Sequence, residues 1–465
     1  MKRFAPLFLL GAAGLAACAD DAHTPIAPTV SSARLSSSAG MEATGKHIVQ
    51  FGKQAIPAGF AARVASLGGT LEAEYAAIGV AVVDGLTDAT AAQLYAFNDV
   101  RNVEADVMVQ WLDPVDGIET AAVETGAASN ARPDSASFYP RQWHLRAIGA
   151  DKAWAAGRLG SPAVTVAILD TGLSPTHPDL VGRIDVARSR SFVPSDNALV
   201  QAYFPGMPEW TDLHYHGTHV GATVSSNGLA AAGVTSGVTL IALKVLNVNG
   251  SGSTSGVLGA VMYAADLGVD VANMSLGSTF SKSLSPGFVS VINRAFTYAN
   301  RKGTLMVVSA GNDAMDMDAN DDLYKTYCMT PNALCVSATG PTARAGINGP
   351  WTNVDAPSSY TNYGAAVFVA APGGNGASTV TAACSQQSLQ VPVCRTGTYV
   401  VGLNGTSMAT PHVSGLAALL VESIGKRQPA LIRNRIAQSA DDLGDEGRDA
   451  YYGRGRVNAA RALGL

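Results

Sequence analysis

Charged side chains are scarce in this sequence. Asp, Glu, Lys and Arg make up only 14% of the 465 residues, the net charge is −5, and no long basic run occurs. Proteins whose main partner is nucleic acid carry basic patches, so that class is excluded. Beyond the N-terminus no apolar stretch is long enough to span a bilayer. Hydrophobic residues make up 47%, which indicates sizeable packed cores in a chain long enough for two or three domains.

Residues 1–18 have the pattern of an export signal. Lys2 and Arg3 form a basic start, and the apolar Phe4–Ala17 is short for a membrane span. Residues 15–18, Leu-Ala-Ala-Cys, resemble a bacterial lipobox, in which the cysteine is lipidated. The small residues equally suit an ordinary signal-peptide cleavage site, and both alternatives stay open. We expect a secreted protein that contacts the membrane only if Cys18 carries a lipid.

Only four further cysteines occur: Cys328, Cys335, Cys384 and Cys394. An even number in an exported chain indicates disulfides. Three pairings are possible, and the order along the chain favours two short loops, 328–335 and 384–394. A zinc site is the weaker alternative, because neither pair has Cys-x-x-Cys spacing.

The sequence predicts two domains and two linkers. Residues 19–45, rich in Ala, Ser, Thr and Pro, predict a flexible linker. Residues 46–111 have the pattern β-α-β-β-α-β, which predicts a small ferredoxin-like α+β domain. On its own such a domain could bind a ligand. Residues 112–138 lack apolar periodicity and predict a second linker, where proteolytic maturation would find an accessible chain.

From residue 139 to 465, apolar strands alternate with helical segments. The predicted strands are Val164–Leu169, Leu240–Val245, Val269–Leu276, Leu305–Ser309 and Ala366–Ala370. Continuous apolar runs of this kind are typical of parallel strands that are buried on both faces. The alternation predicts a doubly wound, mostly parallel α/β sheet.

Polar residues follow two of these strands. Asp170 ends the first strand in Asp-Thr-Gly, and Asn312 follows Leu305–Ser309 in Ser-Ala-Gly-Asn. The carboxyl ends of strands in such a sheet are where functional groups gather. Taken alone, each motif is an ordinary turn. Asp-Thr-Gly also occurs in aspartic proteases, but the second copy that such an enzyme needs is absent from the sequence.

A histidine opens the helix that begins His216-Gly-Thr-His-Val-Gly. A neutral imidazole can accept a proton and later return it to a leaving group. The alternative is a metal cluster of His214, His216 and His219. No His-Glu-x-x-His pattern is present, and alternate histidines on an irregular stretch rarely meet at one ion.

A serine lies at the start of the helix predicted within residues 404–420. Pro411 is tolerated only near a first turn, so Ser407 is expected at the helix N-terminus. There, backbone N–H groups and the helix dipole favour developing negative charge. For an isolated Gly-Thr-Ser, simple helix capping would be the better interpretation.

Together, the motifs around Asp170, His216, Asn312 and Ser407 resemble those of the subtilisin-like serine proteases, the subtilase or peptidase S8 family, in content and chain order. The resemblance covers roughly residues 139–465. It implies that Ser407 is the nucleophile, that His216 is a base oriented by Asp170, and that Asn312 donates to the oxyanion. His219 is then structural.

The resemblance also implies a substrate groove and a propeptide. The two groove walls are expected at Ser275, Leu276 and Gly277 and at Ser309, Ala310 and Gly311. Residues 46–111 resemble an inhibitory I9-type propeptide. The implied protein is a monomeric serine endopeptidase whose partners are protein or peptide substrates and its own propeptide. A non-catalytic protein on this fold and a metalloprotease are rivals, as is an esterase, although the Gly-x-Ser-x-Gly elbow is absent around Ser407.

No cofactor is expected for catalysis, and structural Ca²⁺ is the remaining metal hypothesis. Asp179 matches a calcium ligand of the family by position, although residues 227–232 look shorter than the calcium loop of many relatives. Asp316 and Asp318, in the acidic segment 313–322, alternate as ligands do in calcium loops. A solvated acidic loop is the competing interpretation of that segment.

Overall fold

The computed structural model describes residues 42–112, 118–122, 132–283, 285–319, 321–376, 378–425 and 427–465. The predicted export segment lies outside these residues. The helices are α1 (Phe60–Ser66), α2 (Asp88–Ala91), α3 (Trp143–Ala147), α4 (Ala150–Ala155), α5 (Pro194–Tyr203), α6 (His216–Val224), α7 (Thr254–Leu267), α8 (Pro286–Arg301), α9 (Thr406–Ile424), α10 (Pro429–Ser439) and α11 (Ala459–Ala462). No helix of the described residues combines the length and apolar character needed to cross a membrane.

The strands follow the predicted division of the chain. In the N-terminal part they are β1 (Glu42–Phe51), β2 (Thr70–Tyr75), β3 (Val80–Asp84), β4 (Val100–Gln110) and β5 (Glu119–Ala122). In the rest they are β6 (Thr165–Asp170), β7 (Arg190–Ser191), β8 (Thr239–Lys244), β9 (Ser251–Ser253), β10 (Val271–Met274), β11 (Thr279–Ser281), β12 (Leu305–Ser309), β13 (Leu323–Lys325), β14 (Ala333–Gly340), β15 (Ala343–Arg344), β16 (Trp351–Thr352), β17 (Ala356–Pro357), β18 (Val369–Pro372), β19 (Val380–Ala383) and β20 (Tyr399–Leu403).

The N-terminal strands form an antiparallel sheet in the order β2-β3-β1-β4. The element order is β-α-β-β-α-β, as the sequence predicts. Strand β1 begins at Glu42 rather than Lys46, because Glu42 and Ala43 pair with β4 and Thr44 Oγ1 donates to Asp106 Oδ2 at 2.8 Å. Strand β9 from the larger domain pairs with β4 and extends the sheet by one strand.

The larger domain is organised around a mostly parallel sheet in the order β17-β14-β12-β10-β6-β8-β7, with β18 also paired to β14. Strand β6 is buried along its whole length. Its alternate side chains serve two cores: Val166 and Ile168 pack with residues of α6 and α9, and Ala167 and Leu169 with residues of α7 and α8. Helices therefore cover both faces, which explains why the strand sequences are continuously apolar.

Helix α9 contains Pro411 in its interior and not in its first turn. Proline lacks the N–H that would bond the carbonyl of residue 407. Ser275 Oγ donates to Ser407 O at 2.8 Å and satisfies that carbonyl instead. A side chain from the end of β10 thus stabilises the helix at the residue that the sequence analysis singled out.

The predicted cysteine pairing is confirmed, with disulfides Cys328–Cys335 and Cys384–Cys394. The predicted linker 112–138 is partly wrong, because its described parts carry structure. Residues 119–122 form β5, which pairs with β20, and Pro133–Ser135 form a short 3₁₀ helix. These segments pack against residues far away in the sequence, so no local apolar pattern marks them.

Candidate active site

A buried aspartate and a histidine meet at the carboxyl end of β6. His216 Nδ1 donates to Asp170 Oδ1 at 2.8 Å, and Thr171 N donates to the same oxygen at 2.7 Å. Asp170 is fully buried, and its Oδ2 makes no hydrogen bond within the described residues. A buried carboxylate in this position both orients the imidazole and stabilises positive charge on it.

A second aspartate, which the sequence analysis did not identify, joins the two segments that carry this pair. Asp212 Oδ1 accepts from Thr171 Oγ1 at 2.8 Å, and Asp212 Oδ2 accepts from Thr218 N at 2.9 Å. The fit is tight, since a Cβ on Gly217 would lie 2.2 Å from Gly172 O. The small residues of this helix start are therefore needed for the close approach of His216 to the end of β6.

Ser407 is the second residue of α9, and α9 packs against α6, which begins with His216. Ser407 Oγ donates to Ser275 O at 3.0 Å. With the bond from Ser275 Oγ to Ser407 O, the two serines are linked in both directions. Ser275 thus fixes the position of the serine main chain and gives its hydroxyl a resting partner.

Asn312 lies beside the same helix start. Its Oδ1 accepts from Thr406 N and from Thr406 Oγ1, both at 2.9 Å. These bonds fix the plane of the carboxamide. A Cβ on Gly405 would lie 3.6 Å from Asn312 Nδ2, so the amide nitrogen is on the side of the loop that leads to Ser407.

The two predicted groove walls lie next to each other. Ser309 Oγ lies 3.4 Å from Leu276 O, and Gly311 N donates to Thr406 Oγ1 at 3.0 Å. Gly277 N donates to Trp111 O at 3.3 Å, so one wall already contacts a polypeptide segment.

The wall at residues 309–311 is held by Asn362, which the sequence analysis also missed. Asn362 Nδ2 donates to Ala310 O at 3.0 Å, and its Oδ1 accepts from Asp313 N and Met315 N at 3.0 and 2.8 Å. No local motif surrounds Asn362, so only the tertiary structure reveals this function.

The histidines near the site are not arranged as metal ligands. His219 donates from Nε2 to Val380 O at 3.0 Å, as expected of a structural residue, and His214 Nδ1 accepts from His216 N at 3.3 Å. Burial lowers the pKa of both His214 and His219 to about 3. His412, whose Nδ1 donates to Met408 O, has its pKa lowered by burial to about 4.

These buried histidines predict a loss of stability in mild acid. Their pKa values in the folded protein lie below the model value of 6.5, so the unfolded chain binds protons first as the pH falls. Each histidine then costs up to about 1.4 kcal/mol per pH unit, from pH about 6.5 down to its folded pKa. The melting temperature of an inactivated variant should fall steadily between pH 6.5 and 5. A constant value over that range would contradict the prediction.

The calcium hypothesis for Asp179 does not fit the structure. Asp179 Oδ1 accepts from Leu229 N and Ala230 N at 2.7 and 3.0 Å, and Asp179 Oδ2 accepts from Ala231 N at 3.0 Å. The carboxylate oxygens that a cation would need are directed at backbone N–H donors. The shortened loop thus takes up the carboxylate with its own amides.

The acidic segment does not form a calcium loop within its described residues. Asp316 Oδ1 accepts from Asp318 N at 3.0 Å, while Asp318 Oδ2 accepts from Ala365 N at 2.6 Å. Asp313 forms a 2.5 Å ion pair with Lys325. In the described part of the chain, no group of three or more His, Cys, Asp or Glu side chains could hold a metal ion. The prediction of Asp316 and Asp318 as ligands is corrected accordingly: their carboxylates accept from different partners.

A doubly wound sheet with a buried Asp–His pair at one edge and a serine at a nearby helix N-terminus is typical of a serine hydrolase. Comparison with known proteins narrows this class. A model of the subtilase family matches residues 161–455. The chain therefore belongs to the subtilase family and is a serine endopeptidase, which acts on protein or peptide substrates.

Individual relatives agree with this. Thermitase from Thermoactinomyces vulgaris is 34% identical over 334 residues, which cover 71% of this chain and 99% of thermitase. Subtilisin Savinase from Lederbergia lenta is 33% identical over 322 residues, covering 69% of this chain and 97% of Savinase. The fold resembles that of an epidermin leader peptide processing serine protease from Staphylococcus aureus, with a TM-score of 0.68 at 20% identity over 90% of this chain and 97% of the other.

Proposed function

We propose that the chain hydrolyses peptide bonds through an acyl-enzyme on Ser407. His216 accepts the hydroxyl proton of Ser407 and delivers it to the leaving amine, and a water molecule then releases the acyl group. Asp170 holds the imidazole in the required tautomer and stabilises its positive charge. The observation that carries the proposal is the buried 2.8 Å bond from His216 Nδ1 to Asp170 Oδ1, which directs the other ring nitrogen away from the carboxylate.

Asn312 is proposed as the side-chain donor to the oxyanion. Its carbonyl oxygen is held by Thr406, the residue before the nucleophile, so its amide nitrogen is positioned before substrate binds. A donor that needs no reorganisation stabilises developing charge effectively. The N-terminus of α9 adds its dipole at the same place.

Residues 46–111 are proposed as an inhibitory propeptide, and the contacts with the larger domain support this. Asp106 Oδ1 accepts from Thr254 Oγ1 and Ser255 N at 2.5 and 2.7 Å, and Glu104 Oε1 accepts from Gly287 N at 3.0 Å. Two carboxylates of β4 therefore cap the N-termini of α7 and α8, where negative charge is favoured.

The end of the proposed propeptide occupies the groove. Trp111 is buried, its indole stacks on Tyr327 with ring centroids 5.6 Å apart, and its Nε1 donates to Gly252 O at 2.9 Å. Together with the Trp111 O contact to Gly277, this fills space that a substrate would use. The same side chains then hold the propeptide and select substrates.

We further propose that the enzyme acts outside the cell. The two disulfides suit an oxidising compartment. A lipid on Cys18 stays a prediction, because that residue lies outside the described part of the chain. The proposed enzyme is a monomer.

An activity-based probe tests the function. A fluorophosphonate should label the mature enzyme at Ser407 and abolish digestion of casein, because it acylates an activated serine. A zinc chelator should leave casein digestion unchanged, which separates this mechanism from that of a metalloprotease. Casein digestion that survives complete labelling would contradict the proposal.

A further inference from the structure

A short strand from the predicted linker adds to the sheet next to the nucleophile. Strand β5 pairs antiparallel with β20, with Glu119 opposite Gly402 and Ala122 opposite Tyr399. Strand β20 ends at Leu403, four residues before Ser407. The register therefore places the N-terminal end of β5 nearest the nucleophile, and β5 runs away from it.

The segment before β5 reaches the same site from the other side. Strand β4 ends at Gln110, and Trp111 O accepts from Gly277 N. Gly277 lies two residues from Ser275, the carbonyl of which accepts the hydroxyl of Ser407. The chain thus contacts the substrate groove at residue 111 and again at residue 119, on opposite sides of Ser407.

We propose that the exposed edge of β20 is a binding strip for the part of a polypeptide that follows the scissile bond, and that residues 118–122 occupy it in the precursor. The ligand class is an extended peptide that adds as an antiparallel strand. This inference rests on the proposed function, because the bond that is cut is hydrolysed by Ser407. The maturation cut then lies between Leu112 and Ile118.

The arrangement of strands supports this assignment. Strand β20 lies between β19 and β5, so removal of β5 leaves one edge of β20 unpaired. An unpaired edge readily accepts another extended chain. Burial does not explain β5 as a core strand, because Glu119, Thr120 and Ala122 are exposed.

A cavity beside β5 gives the strip chemical character. It has a volume of about 260 Å³, and its lining includes Glu119, Arg141 and Arg344 as well as Trp351. Arg344 Nη2 lies 3.3 Å from Glu119 Oε1. The strip therefore favours an acidic side chain in the register position of Glu119.

Neighbouring proline substitutions test the strand pairing. In an antiparallel pair, successive residues direct their N–H groups alternately towards and away from the partner. Of Thr120→Pro and Ala121→Pro, one removes an N–H that donates to β20 and the other an N–H that points away. We expect one variant to slow conversion of precursor to mature enzyme about 10-fold or more and the other to convert at nearly the wild-type rate.

Charge reversal provides a second, milder test. Glu119→Lys or Arg344→Glu alone should slow conversion about 2- to 5-fold, as expected for a partly exposed ion pair. The double variant should convert at the wild-type rate, because the pair is restored with opposite polarity. Mass spectrometry of the first product should give a new N-terminus between Asp113 and Ile118.

The outcomes separate this inference from the proposed function. Equal conversion rates for both proline variants, no rescue in the double reversal, or a first cut after Ala122 would each overturn the binding strip. If one proline variant fails to fold, as shown by melting of its Ser407→Ala form, the charge reversals decide. A wild-type protein that neither digests casein nor reacts with a fluorophosphonate would instead overturn the proposed function.

Discussion

Ser407→Ala should lower kcat by about 10⁶-fold, the loss measured when the nucleophile is removed from subtilisin, a relative in this family. The hydroxyl is the atom proposed to form the acyl-enzyme, and no other hydroxyl has its place at the start of α9. The fold should persist, because Ser407 Oγ contributes one hydrogen bond, to Ser275 O, and the link from Ser275 Oγ to Ser407 O remains. Casein digestion and a melting curve measure the two effects.

Ser414→Ala is a matched control for that variant. Ser414 lies in the same helix, is equally buried, and donates to Asn273 Oδ1 at 2.8 Å. Its removal should cost about 1 kcal/mol of stability while kcat stays near the wild-type value. Loss of activity in both variants would show that disruption of α9, and not loss of the nucleophile, is responsible.

The Ser407→Ala protein also tests self-processing. If the enzyme cuts its own precursor, the variant should accumulate with residues 46–111 still attached. The carboxylate caps on α7 and α8 and the pairing of β4 with β9 would then hold the propeptide in place. A cut chain in a protease-free preparation of this variant would rule out self-processing.

Sequence periodicity predicted the elements that depend on local pattern. The strand Leu305–Ser309 was predicted at its observed bounds, and α8 follows its apolar stripe from Phe288 to Ala299. Each such element buries side chains at the period of its own geometry, so its signal is contained in a short window. Strand β5 and the first residues of β1 lack that signal, since they are specified by partners far along the chain.

The candidate site shows the same division. The predicted residues Asp170, His216, Asn312 and Ser407 each lie in a distinctive local motif. Their supporting residues, among them Asp212 and Asn362, carry no such motif and act only through tertiary hydrogen bonds.

The calcium hypothesis fails for a related reason. Spacing along the chain does not show which donors a carboxylate meets. Asp179 meets three backbone N–H groups, and the carboxylates of Asp316 and Asp318 accept from different donors.

Asp170→Asn should lower kcat by about 10⁴-fold, the size of the loss found for the equivalent change in trypsin and near that for the aspartate of subtilisin. Asp170 Oδ1 accepts from both Thr171 N and His216 Nδ1. The amide oxygen of asparagine can keep these two bonds, but its nitrogen then replaces Oδ2, which makes no hydrogen bond within the described residues. The imidazolium formed during acylation thereby loses its buried counter-charge.

Asp179→Asn separates this catalytic effect from the general cost of neutralising a buried aspartate. Asp179 is as fully buried as Asp170, but it accepts from the backbone amides of residues 229–231 and makes no contact with His216. An amide nitrogen facing those N–H donors should cost about 1–3 kcal/mol of stability. We therefore expect Asp170→Asn to lose kcat and largely keep its melting temperature, and Asp179→Asn to show the reverse. If Asp179→Asn lost activity as strongly as Asp170→Asn at a temperature where both are folded, the electrostatic role assigned to Asp170 would be wrong.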